Sequence, residues 1–188
     1  MRETENSLPI SLRRVTEEHL PLLLEWRTRP EISSMLFTNP KLTMESQKRW
    51  YEALKEDPTQ IRWIIYNGET PIGSIYIVDI DNTHKRCESG IFVAVKELSS
   101  VQLYMAVHWN MFDYVFNSLG LNRIYAYIFT DNSGVIKLST YAGLAVEGIL
   151  KQHMCKDGEF RDIAVVAITK DRWLEFRQKV HFTPCVVE

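Results

Sequence analysis

The sequence predicts an α/β domain of the α+β kind: a mostly antiparallel sheet with one parallel strand pair and helices on both faces. Three features predict it. Runs rich in β-branched and aromatic residues are interleaved with runs of helical period along the chain. Asn67-Gly68 separates two strand-like runs, and both positions tolerate the positive φ that a two-residue hairpin turn needs. Residues 88–129 read strand, helix, strand, and a helical crossover makes its two strands parallel.

In chain order, residues 1–9 read as a flexible N-terminal tail, 10–180 as one domain and 181–188 as a C-terminal tail. ISLRRV (10–15) is a first strand. Thr16 is an N-cap, with acids in the first turn and Leu20, Leu23, Leu24 and Trp26 at helical spacing. Residues 27–30 end that helix. Residues 31–37 form a short second helix stopped by Asn39-Pro40, and Thr43 opens a third that carries Trp50, Tyr51 and Leu54. QIRWIIY (60–66) and IGSIYIVDI (72–80) make the hairpin across Asn67-Gly68, a polar loop follows over 81–86, and ESGIFVAV (88–95) is the fourth strand. Residues 101–117 are apolar almost all round and belong to a deeply packed helix. The fifth strand covers 121–129. A helix over 133–142 ends at Gly143, where a left-handed cap is needed. Residues 144–153 and 160–169 form a second hairpin across Lys156-Asp157-Gly158, and 171–179 a last helix.

The chain has 188 residues, 45% hydrophobic and 24% charged, which fits one soluble globular domain with a sizeable core. A net charge of -2, a pI near 6.2 and the lack of any like-charge block argue against a nucleic-acid partner. No apolar run approaches the ~20 residues of a membrane helix. The opening MRETENSLPI is polar, unlike a secretory signal. Cys87, Cys155 and Cys185 are odd in number and widely spaced, so neither a disulfide framework nor a zinc site is implied. Histidines, cysteines and acids do not cluster at metal spacing, and there is no GxSxG or Walker loop. A reduced cytoplasmic setting, without metal or membrane, is expected.

Several fragments carry a resemblance. LLEWRTRPEI (23–32), PIGSIYIVDID (71–81) and EGILKQHMCKDGEFRDI (147–163) resemble the GNAT acetyltransferases that act on amino groups of nucleotide-linked sugars, such as the pseudaminic-acid pathway enzymes. FNSLGLNRIYAYI (116–128) and DNSGVIKLSTYAGL (131–144) are also similar to the ribosomal-protein acetyltransferases. The likeness spans residues 11–173.

The resemblance implies that the fourth and fifth strands splay apart and admit acetyl-CoA as co-substrate. Backbone groups around Val93 to Val95 would then bind the pantetheine amides, and the pyrophosphate would meet the start of the next helix, where free N–H groups and the dipole favour an anion. The family pattern there is a basic residue or glutamine, two spacers, Gly, one spacer, then Gly or Ala. In this chain Ser99 stands first and Gln102 and Tyr104 occupy the glycine positions, where side chains hold a phosphate off the backbone. Gln102 and Tyr104 are expected to fill the phosphate site, with Lys96, Ser99 and Ser100 as replacement donors. Coenzyme binding, weak binding, another acyl-CoA and no binding all stay open on this reading.

The resemblance further implies Glu88 as base for the acceptor amine, with Ser139 where the family places a tyrosine that protonates the thiolate. Tyr141 lies about 200° around the helix from Ser139 and cannot substitute. Asn132 is expected to cap the following helix or touch the pantetheine, and Lys137 to reach a phosphate. The acceptor pocket is expected from Trp26, Arg27, Met35, Phe37 and Trp50, with His84 and His153 as weaker candidates. Core packing or solvation is the alternative reading for each. The function implied is N-acetyl transfer to a small primary amine, with a nucleotide-linked amino sugar as the expected acceptor, by a monomer or homodimer. The alternatives are a GNAT-fold partner module without transfer, and acetylation of a protein N-terminus or lysine.

Overall fold

The computed structural model describes residues 10–38, 41–181 and 183–188. Its first half places β1 (Ile10–Arg14), α1 (Leu20–Thr28), α2 (Pro30–Ser33), α3 (Met44–Glu56), β2 (Ile61–Asn67), β3 (Thr70–Asp81) and β4 (Arg86–Val93). The second half adds α4 (Val101–Asp113), β5 (Arg123–Phe129), α5 (Ser133–Tyr141), β6 (Ala145–Lys156), β7 (Glu159–Thr169), α6 (Lys170–Arg177) and β8 (Val186–Val187). Among the described residues these strands form one eight-stranded sheet in the order β6-β7-β5-β4-β3-β2-β1-β8. β4 and β5 pair in parallel, as the helical crossover requires. The N-terminal tail expected over residues 1–9 and the Asn39-Pro40 stop lie outside the described residues.

The two faces of the sheet are read off β2. Trp63 and Ile65 enter one core, with Phe112 of α4, Ile124 of β5 and Trp173 of α6. Ile64, between them, enters the other, with Leu23 and Trp26 of α1 and Ile32 of α2. Period-2 alternation therefore puts α4, α5 and α6 on one face and α1, α2 and α3 on the opposite one.

Several elements differ from the sequence reading. The second helix is a single turn that ends at Ser33, and Phe37 lies beyond it. The long central helix leaves α geometry at Asp113 and continues as a π turn over Tyr114–Ser118, with the Leu119 N–H donating to the Tyr114 carbonyl at 3.2 Å. The second hairpin turns on Asp157 and Gly158 alone, both at positive φ, so Lys156 belongs to β6. Within the segment read as a C-terminal tail, residues 186–188 return to the sheet. β8 pairs in parallel with β1, and the Trp63 indole donates to the Glu188 carbonyl at 2.6 Å. Two expected caps are present: Thr43 and Ser46 close a reciprocal capping box on α3, and Gly143 holds a φ of 108° after α5. Among the described residues no helix is long and apolar enough to cross a membrane.

Candidate active site

β4 and β5 share only the pairs Arg86 with Arg123, Cys87 with Ile124 and Glu88 with Tyr125, and then diverge. A wedge-shaped cavity of about 300 Å³ opens between residues 88–93 of β4 and 126–129 of β5. Its floor is Tyr104 and His108 of α4 with Val135 and Ser139 of α5, and its roof is Met35, Leu36 and Phe37.

The ladder to β3 decides which backbone groups face the wedge. The Ala94 and Val95 N–H groups both donate to the Ile72 carbonyl, at 2.7 and 3.3 Å. Hydrogen-bonded pairs alternate along an antiparallel ladder, so Phe92 and Gly90 share Ala94's orientation toward β3. Ile91 and Val93 turn their backbone groups the other way, toward the space β5 has left. Val93 thus faces the wedge, which it lines, whereas the Val95 N–H is taken by the Ile72 carbonyl. This edge offers unpaired main-chain donors and acceptors inside a protein, where polar groups call for partners. An extended chain carrying amides, such as pantetheine, fits that pattern.

The turn into α4 separates the residues expected to fill it. Ser100 caps the helix, its hydroxyl accepting from the Leu103 N–H at 3.1 Å. Ser99 lies outside the wedge, its N–H donating to the Lys96 carbonyl at 3.0 Å. Gln102 is exposed and lines a different groove, beside Met105, Trp109 and Cys185. It therefore leaves the wedge clear. Two positions apart on a helix differ by about 200°, so only one of Gln102 and Tyr104 can face the strands. Tyr104 does: its ring stacks on His108 at 4.0 Å, and its hydroxyl lies 3.1 Å from Ser139 Oγ. Burial pushes the Tyr104 phenol up to about 12 and the His108 imidazole down to about 4, so both are neutral at pH 7. Asn132 lines the wedge, and its side chain makes no cap hydrogen bond to α5. Lys137 is exposed and lines neither this wedge nor the cavity beside it.

That second cavity, of about 510 Å³, lies on the α1–α3 face. Arg27, Lys41, Trp50 and Arg62 line it, while Tyr76, Glu88, Phe92, Leu36 and Phe37 line both cavities. Arg62 is sandwiched by aromatics, its guanidinium 4.5 Å from the Tyr76 ring and 5.4 Å from Trp50. Burial lowers both Arg27 and Arg62 from the ordinary arginine range, yet an arginine stays charged in a protein. Neither forms an ion pair among the described residues. Glu88 is the only carboxylate lining this cavity among the described residues. Burial first, and the charge of Asp79 second, raise its carboxyl to about 7.

Trp26 does not belong to this pocket. It is 2% exposed and packs edge-on against Phe92, a core role set by its position on α1's inner face. Met35 roofs the wedge and does not line the second cavity; Phe37 reaches both, edge-on to Phe129 at 4.9 Å. His84 and His153 line neither cavity. Sequence reasoning missed Arg62 and Tyr76. The signal was a charge inside the apolar run QIRWIIY, which period 2 places on the same sheet face as Ile64.

Residues 10–145 match the model of the acetyltransferase (GNAT) domain family. The chain is 29% identical over 132 residues to acetyltransferase PseH of Campylobacter jejuni, covering 69% of this chain and 80% of that protein. It is 33% identical over 124 residues to the uncharacterised N-acetyltransferase YoaA of Bacillus subtilis, covering 65% and 70%. Its fold matches a crystal structure of Vibrio cholerae spermidine N-acetyltransferase in complex with CoA and spermine. The TM-score is 0.84 at 20% identity, over 89% of this chain and 99% of that one.

Proposed function

We propose that this chain, an acetyl-CoA-dependent N-acetyltransferase that belongs to the GNAT family, acts on a small-molecule amine that also bears negative charge, a nucleotide-linked amino sugar fitting best. One observation carries the reading. The cavity beside Glu88 presents Arg27, Arg62 and Lys41 and a single carboxylate. Guanidinium groups recognise phosphates and carboxylates through forked hydrogen bonds. A polyamine, itself a polycation, calls for the opposite lining. Trp50 adds an aromatic face on which a base or sugar ring can stack.

The reaction follows from the two cavities. Acetyl-CoA enters the fork, where Ile91 and Val93 present backbone groups. The amine approaches from the Arg27 and Arg62 side. Glu88 borders both and, with a carboxyl near 7, is part ionised at neutral pH and suited to take the amine proton. Main-chain N–H groups of the diverging β4 edge are placed to polarise the thioester carbonyl.

The test is a comparison of acceptors at fixed acetyl-CoA: a nucleotide-linked amino sugar, the free amino sugar, spermidine and a lysine peptide. The nucleotide-linked sugar should give the highest kcat/KM, at least about tenfold over spermidine, as one lost charge-assisted contact of roughly 1.5–3 kcal/mol implies. Spermidine as the fastest acceptor would overturn the proposal.

A further inference from the structure

The sheet divides the reaction between its two faces. Glu88, Tyr76 and Arg62 belong to the face that carries α1 and α3, so the amine arrives there. α4 and α5 close the wedge from the opposite face. The sulfur that leaves the acetyl carbon must gain negative charge within the wedge, away from the cations of the acceptor cavity. Tyr104 and Ser139 are the side-chain hydroxyls that α4 and α5 contribute there, 3.1 Å apart and 7% and 3% exposed.

Resting on the acetyl-transfer reading above, we propose that the Tyr104 hydroxyl, aimed by Ser139, is the hydrogen-bond donor that stabilises the departing thiolate. Ser139 has one hydroxyl proton, and it goes to the Val135 carbonyl at 2.9 Å. Ser139 Oγ is then an acceptor, and Tyr104 is the donor of the pair. A thiolate is a charged acceptor and attracts the same proton more strongly than a serine oxygen does. The electron count is simple. The amine nitrogen bonds to the carbonyl carbon, the C–S bond breaks with both electrons on sulfur, and the amine proton passes to Glu88. The thiolate holds the Tyr104 hydrogen bond until it takes a proton from water. Burial keeps this phenol protonated through the whole working range, so it shares its proton and does not release it.

The experiment uses Tyr104→Phe, which deletes one oxygen. CoA affinity is measured from pH 6 to 9.5 by calorimetry, beside acetyl-CoA affinity and kcat. In the wild type, CoA should bind at least about tenfold tighter as its thiol ionises, because the site prefers the thiolate. Tyr104→Phe should flatten that dependence and lower kcat about 10–100-fold, less than or equal to the loss of a strong oxyanion donor. Acetyl-CoA affinity should stay within threefold. Ser139→Val tests the same claim with the tyrosine in place: kcat should fall several-fold and the pH response of CoA binding should weaken. An unchanged kcat and pH response in either stably folded variant overturns the proposal. Loss of acetyl-CoA affinity in Tyr104→Phe also overturns it, because Tyr104 would then be a wall of the coenzyme site. A wild type that binds no acetyl-CoA would refute the transferase reading itself, a separate outcome.

Discussion

Tyr76 lies directly across the β3–β4 ladder from Gly90, and its ring fills the space a Gly90 side chain would need. A Cβ built on Gly90 would stand 2.3 Å from the Tyr76 ring and hydroxyl. Tyr76 lines both cavities, so this glycine sets the partition between them. Gly90→Ala should displace the ring, destabilise the protein by about 1–3 kcal/mol, as overpacking does, and raise the acceptor KM. Chemical denaturation and initial rates check it. A neutral Gly90→Ala would show that the partition is soft.

Arg27 and Arg62 should each govern the acceptor and not the coenzyme. Arg27→Gln and Arg62→Gln are expected to raise the acceptor KM about tenfold or more, the worth of a charge-assisted contact, with acetyl-CoA KM within threefold. Arg62→Gln should also loosen Trp50 and Tyr76, which its guanidinium bridges. Steady-state kinetics with each substrate varied in turn separates the two effects.

Lys156 ties the second hairpin to the roof of the site. Its ammonium, on a residue 7% exposed, donates to the carbonyls of Ser33, at 2.7 Å, and Leu36. Leu36 and Phe37 cover both cavities, so the clamp sets their height. Lys156→Met should cost about 2 kcal/mol, the range for hydrogen bonds to a charged group, and raise both KM values. Thermal denaturation and two-substrate kinetics report it.

The carboxyl of Glu88 gives stability a pH signature. Its pKa is raised from 4.5 to about 7 in the fold, so the native state binds its proton more tightly than the unfolded chain does. Its contribution is therefore favourable at low pH and is lost as pH rises from about 4.5 through 7. Glu88→Gln cannot ionise. It should melt higher than the wild type at pH 8, and the difference should close at pH 5. A gap of equal size at both values would contradict the burial argument.

Much of the fold was legible because its signals are local. Gly143 and the alternation of residues 60–80 each specify backbone geometry within a few residues, whereas the first hairpin turns on Gly68 and Glu69 rather than on Asn67-Gly68: Asn67 stays in β2, paired with Thr70, and only Gly68 takes a positive φ. The return of β8 to β1 was not legible, because a two-residue strand has no period to read and its pairing is set by Leu12 and Trp63 far away in sequence. Glu88, Tyr104 and Ser139 could be singled out in sequence because the family resemblance sets them at the base, phosphate-turn and thiolate-acid positions. Which way Gln102 points, and that Arg62 and Tyr76 join the acceptor cavity, depend on helix phase and strand parity across three elements. Trp26 is core because its position on α1's inner face buries it, and that helix phase relative to the sheet is not written in the residue type.

Glu88 should serve as base at the point where β4 and β5 part. The direct measurement is the pH dependence of kcat/KM for the wild type and Glu88→Gln, with acetyl-CoA affinity measured alongside. The wild-type profile should rise through an inflection near 7. The variant should lose about 10²–10⁴ in rate together with that inflection, at unchanged coenzyme affinity. A Glu88→Gln enzyme that keeps the wild-type rate and the same inflection would contradict it.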